Sequence, residues 1–218
     1  MVDSSLEAAE ADLRARISWL LLSPSVQRIN FRLAKYLING FGFHVVIGLL
    51  RTHAIGVAID PDAISSAGRH VDAEYDPAED KYYFPKGMYG MSMYEQKVIV
   101  HESVHALIDS RGGGLYHRAR DNEGAAYVAE ALYVLNLTDS TPTLHDGLRK
   151  VSFDIARKIR ASRSAVPVVS QDDLDDLRDE VGRTYAKNGY PIKELERDSA
   201  NRIANPMSII APLYGWNK

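Results

Sequence analysis

The sequence has no cysteine. That absence excludes a disulfide framework, thiolate zinc sites, iron–sulfur ligation and a cysteine nucleophile together, so any metal chemistry must use imidazole and carboxylate ligands. Strong charge of one sign is missing too. Lys and Arg number 26 against 29 Asp and Glu, a net charge of −3, so no overall field points to a nucleic-acid partner. Long apolar runs are also absent: Ile17 to Leu22 falls far short of the roughly 20 residues a membrane span needs. The start, Met1-Val2-Asp3-Ser4-Ser5-Leu6-Glu7, lacks the basic stretch of a signal peptide. No membrane partner is expected, and the default residence is the cytoplasm, with export by a route that leaves no cleavable signal left open.

What is present is ordinary in bulk. The chain's 218 residues, 45% hydrophobic and 25% charged, suffice for a sizeable core and exclude collagen-like, low-complexity and mainly disordered readings. Seven histidines are the residues that carry chemistry.

Residues 1–40 read as a helical lead. Ser4 with Glu7 resembles a capping box, and Leu13, Ile17, Leu20 and Leu21 follow at helical spacing until Ser23-Pro24. A second helix is expected from Pro24, with Val26, Ile29, Leu33 and Leu37 on one face and Asn39-Gly40 as its end. Residues 41–91 read as a small sheet: strands over 44–50 and 54–59, then a hairpin of 73–75 and 81–84 about Asp76-Pro77-Ala78-Glu79-Asp80. The stretch Pro85 to Met91, punctuated by Pro and Gly, is expected to be irregular.

The rest reads as helical. Ser92 with Glu95 forms a capping-box pair opening a helix to about Ser110, and Asp121 caps one from about Asn122 to Leu135; together these occupy 92–136. Thr143 with Asp146 and Ser170 with Asp173 start two further helices in 137–218. The first carries Arg149, Lys150, Arg157, Lys158 and Arg160, and the second begins with Asp172, Asp173, Asp175 and Asp176. No aromatic residues interleave with the basic ones, so a solvated face paired with the acidic helix is expected rather than a nucleic-acid patch. The apolar tail from Ile203 to Trp216 is expected to dock on the core.

The informative stretch is Val98-Ile99-Val100-His101-Glu102-Ser103-Val104-His105-Ala106-Leu107. On a helix, residues four apart share a face, so His101 and His105 present two imidazoles to one point while Glu102 sits one step around. Side by side in an apolar helix, these groups are costly to bury without a cation or partner. A catalytic zinc site needs a third protein ligand and an open position. The next helix offers Glu123 and Glu130 on one face with Tyr127 between them, and small Ala125, Ala126, Ala129 and Ala131 for close packing. His117 and Asp121 are alternatives.

These motifs resemble the gluzincin metallopeptidases, in which an HExxH helix is followed by a helix donating a glutamate. The resemblance covers about Tyr82 to Leu135, with Asn122-Glu123 similar to the Asn-Glu that introduces the third ligand. Two departures stand out: the gap before Glu123 is shorter than in thermolysin-like and aminopeptidase-like enzymes, and Tyr127 stands where those carry a supporting Asp. Metzincins are excluded, because Ile108 and Arg111 occupy their Gly and His positions.

The resemblance implies an α+β, zincin-like fold in a single metallopeptidase-like domain over 1–218, with a small sheet, an active-site helix and a mostly helical C-terminal half. It implies Zn2+ on His101, His105 and Glu123, and a peptide or protein substrate. Glu102 takes the proton of the attacking water and passes it to the leaving amine. Glu130 and Asp109 are candidates for hydrogen bonding to the ligand imidazoles. Tyr127, Tyr116, His117 and His145 are candidates for the group that stabilises the oxyanion. The strand Lys81 to Phe84 is expected to run along the cleft as an edge that binds extended substrate. Two other readings stay open: a non-hydrolytic interaction module with a structural or vestigial metal, and a toxin or effector protease with a narrow target.

Overall fold

The computed structural model describes residues 4–61, 73–111, 119–139 and 147–187. Helix α1 (Ser4–Leu21) buries Leu13, Ile17 and Leu21, as its spacing demands. The next segment departs from expectation. After one turn, α2 (Pro24–Gln27), the chain forms an antiparallel hairpin of β1 (Asn30–Leu33) and β2 (Tyr36–Asn39), and then helix α3 (Gly40–Arg51). The second helix of the lead is therefore a hairpin, and the strand over 44–50 is a helix.

The physical reasons are local. Phe31, Leu33, Tyr36 and Ile38 are buried at alternate positions, a period-two pattern that competes with the helical spacing of Ile29, Leu33 and Leu37. The tight turn uses Ala34 at φ 49°, without the Asn or Gly that normally announces it. Asn39 is the N-cap of α3, accepting from the Gly42 N–H at 2.9 Å. Phe43, Val46, Ile47 and Leu50 then line its buried face.

The second sheet has the order β3 (Gly56–Ile59), β5 (Lys81–Phe84), β4 (Glu74–Asp76). The hairpin of β4 and β5 is as expected, but β3 pairs in parallel with the other side of β5. Lys81–Phe84 is consequently the central strand and not an edge. A pairing between segments distant in sequence leaves no local signature, which is why the edge assignment failed. The true edges are β3 and β4. Each donates an outward amide to a helix carboxylate: Ile59 N–H to Glu10 Oε1 at 3.2 Å and Tyr75 N–H to Glu102 Oε2 at 3.0 Å.

Four helices complete the described chain: α4 (Met93–Ser110), α5 (Ala119–Thr138), α6 (Gly147–Ala161) and α7 (Gln171–Lys187). Ser170 caps α7 by accepting from the Asp173 N–H, and Lys158 of α6 pairs with Asp173 at 2.6 Å, the expected meeting of basic and acidic helices. Asp121 lies inside the first turn of α5 rather than capping it. Buried residues from α1 through α7 form one hydrophobic cluster, so the architecture is mixed α and β, mostly helical, with small sheets. Among the described residues, no helix is long and apolar enough to cross a membrane.

The start of α4 is fixed with particular care. Its capping box is complete, and Glu95 Oε2 accepts from the backbone N–H groups of Gly90, Met91 and Ser92 while Oε1 meets Lys86 at 2.6 Å. Burial alone would raise this carboxyl, but the bonds from Lys86, Ser92 and Met91 outweigh it and hold it below its ordinary range. A depressed carboxylate contributes stability above its unfolded pKa and loses it as pH falls through the folded one. Glu95→Gln is therefore expected to cost about 1–2 kcal/mol at pH 7 and much less near pH 3. Denaturant unfolding at both pH values checks this; an equal cost at each would overturn it.

Candidate metal centre

Helices α4 and α5 pack antiparallel, as the pairing of early α4 with late α5 residues shows: Lys97 meets Glu130 and His105 meets Asn122. At successive turns of α4, Lys97, His101 and His105 face a row of α5 formed by Glu130, Tyr127 and Glu123, with Asn122 beside its end. The expected helix pair thus brings the HExxH residues and both glutamates together. Gly124, Ala125, Ala126, Ala129 and Ala131 are buried on α5, leaving little between the helix and its neighbours.

The geometry centres on Glu123, which is 0% exposed. Its Oε1 lies 3.2 Å from His105 Nε2 and its Oε2 lies 3.5 Å from His101 Nε2. Among the described residues, neither oxygen has a hydrogen-bond partner of sound geometry. Donors on one zinc ion with bonds of about 2.0–2.1 Å lie about 3.3 Å apart, and these separations, each from a different carboxylate oxygen, are short enough for an ion to be shared between the carboxylate and the imidazoles. His101, Glu102 and His105 also offer ligand atoms within 4.8 Å of one another. The residues present therefore fit a metal ion, with two imidazole nitrogens and a carboxylate as donors.

The far side of each imidazole faces an acceptor. His105 Nδ1 lies 3.0 Å from Asn122 Oδ1, and His101 Nδ1 lies 3.6 Å from Glu130 Oε2. At His105 a hydrogen bond from Nδ1–H to Asn122 leaves Nε2 to face Glu123, the arrangement that metal-binding histidines require; at His101 the Glu130 oxygen stands beyond hydrogen-bond range, at an ion-pair separation. Tyr127 stands edge-on to the His101 ring, with centroids 4.7 Å apart.

Electrostatics follow from three carboxylates, Glu102, Glu123 and Glu130, gathered near one point. Burial opposes charge on His101, yet Glu123 and Glu130 outweigh it and raise the imidazole to about 10. Burial likewise opposes charge on Glu123, yet His105 and His101 hold it down to about 2. Glu130 is held at about 2 against burial by Lys97 and His101, with Arg149 contributing. For Glu102 burial dominates and pushes the carboxyl up. The cluster thus favours positive charge at the two imidazoles.

The other candidates fall differently. Asp121 is engaged by Arg178 of α7 at 2.6 and 2.9 Å, an ion pair that removes the reason to assign it to a metal. Asp109 accepts from the Tyr75 hydroxyl at 3.0 Å. Tyr116, His117, Thr143, His145, Asp146 and the tail from Ile203 to Trp216 lie outside the described residues. Sequence reasoning missed three contributors. Lys97 had a signal, since it lies four residues before His101 on the same helix. The Tyr75 amide had none. Nor did Tyr185, a fully buried α7 tyrosine whose hydroxyl is raised by burial first and by Glu123 next. Both reach the centre only through tertiary folding.

Compared with known proteins, the chain matches no family model. No curated protein and no solved structure is significantly similar to it.

Proposed function

We propose that this chain is a zinc-dependent, zincin-like peptidase that hydrolyses peptide bonds. The observation that carries the reading is the buried Glu123 carboxylate facing the Nε2 atoms of both motif histidines, with Glu102 beside them. Two imidazoles and one carboxylate are a donor set that suits zinc and leaves a position open. His101, His105 and Glu123 would hold the ion. When bound, zinc supplies a Lewis acid that acidifies water and polarises a carbonyl.

The chain's own residues account for the remaining work. Glu102 is half-buried, and the Tyr75 N–H fixes its Oε2, so its carboxylate is aimed without being consumed by a cation. There it accepts the proton released by the attacking water and returns it to the leaving amine. Burial brings its affinity for protons closer to what a general base needs near neutral pH. Tyr127, edge-on to His101, and Tyr185, whose buried hydroxyl is raised in part by Glu123, are candidates for donating a hydrogen bond to the developing oxyanion.

The test is metal removal. Cleavage of an unfolded protein by the zinc-loaded chain is expected to fall more than about tenfold with 1,10-phenanthroline and to return when zinc is restored. Stoichiometric zinc uptake without cleavage would sink the peptidase reading and leave the non-hydrolytic metal module in its place.

A further inference from the structure

Lys97 is 5% exposed, among the least common places for an ammonium group. Its Nζ sits 2.5 Å from Glu130 Oε1, and the Tyr94 ring lies 5.0 Å from the same nitrogen. The other Glu130 oxygen, Oε2, is the one that faces His101 Nδ1. One carboxylate is thus shared between an ammonium on one side and an imidazole on the other. The charge of Arg149 on α6 also favours the ionised Glu130 carboxyl.

We infer that Lys97 is a positioning residue of the metal centre, which anchors Glu130 so that its carboxylate faces His101 Nδ1 and the ring keeps Nε2 turned toward Glu123. A merely structural ion pair would need only the attraction between its two charges. The positioning role also has a direction, because a carboxylate 3.6 Å from Nδ1 attracts the Nδ1–H and an ammonium in its place repels it. Without Lys97, the Glu130 carboxylate loses the ammonium that holds its Oε1 at 2.5 Å, and with it the anchor that fixes where Oε2 points. The consequence for zinc rests on the function proposed above. The orientation of Glu130 does not.

The experiment measures zinc affinity by chelator competition, together with the His101 Nδ1–H proton by NMR. Lys97→Met is expected to lose about tenfold or more in zinc affinity and to lose the protected Nδ1–H signal, whereas Lys97→Arg keeps both. The exchanged pair, Lys97→Glu with Glu130→Lys, retains the attraction. It also sets an ammonium beside His101, and is expected to bind zinc about 10–100-fold more weakly than wild type. If Lys97→Met does not fold, the exchanged pair decides the question. Wild-type zinc affinity and Nδ1–H protection in either variant would overturn the inference. A wild type that takes up no zinc would instead overturn the proposed function. In that case the Nδ1–H signal of the metal-free protein, kept in wild type and lost in Lys97→Met, still decides the role of Lys97.

Discussion

Zinc-loaded Glu102→Gln protein is expected to cleave an unfolded protein about a hundred- to ten-thousandfold more slowly than wild type while taking up the same amount of zinc. The substitution preserves size, and the glutamine oxygen can still accept from the Tyr75 N–H that now meets Glu102 Oε2. What it removes is the ability to take a proton. Because Glu102 is half-buried and bonded to a strand amide rather than to a cation, the fold is expected to change little. Equal cleavage by the two proteins would remove Glu102 from the mechanism.

Glu123→Ala has the largest expected effect on the metal itself. Zinc at a thousandfold excess over its Kd stabilises a protein that binds it only when folded by about 4 kcal/mol, and Glu123→Ala is expected to show no such gain. Both glutamate oxygens lie across from the two Nε2 atoms, so the truncation removes the third donor and leaves two imidazoles. Metal-free Glu123→Ala is also expected to be less stable than wild type. The depressed carboxyl of Glu123 and the raised imidazole of His101 mark their pairing as favourable to the folded state. Thermal unfolding with and without zinc reads both effects at once. A Glu123→Ala protein still stabilised by zinc would move the third ligand to Glu102, the carboxylate grouped with both histidines, because Glu130 faces the opposite nitrogen of His101.

The reach of the sequence differed by element. The capping box of Ser92 and Glu95, the cap at Ser170 and the histidines four apart are local signals, and each led to the right helix. The i and i+7 relation of Glu123 and Glu130 placed both beside His101, because helix pairing preserves such rows. Residues 24–50 misled because their apolar positions satisfy two periods at once, and a turn built on Ala34 gives no warning. The central place of Lys81–Phe84 depends on a parallel partner distant in the chain. Tyr185 depends on α7 folding back. No spacing within a single segment encodes either.

The two outward amides of the second sheet have a consequence for self-association. A strand edge with open N–H groups is a template on which another chain can add. Here the Ile59 amide is covered by Glu10 from α1 and the Tyr75 amide by Glu102 from α4. A second copy approaching either side must displace a carboxylate and then leave that charge beside the new strand. The fold thereby guards a three-stranded sheet against sticking to its neighbours, and on one side the guard is the same glutamate assigned to the chemistry.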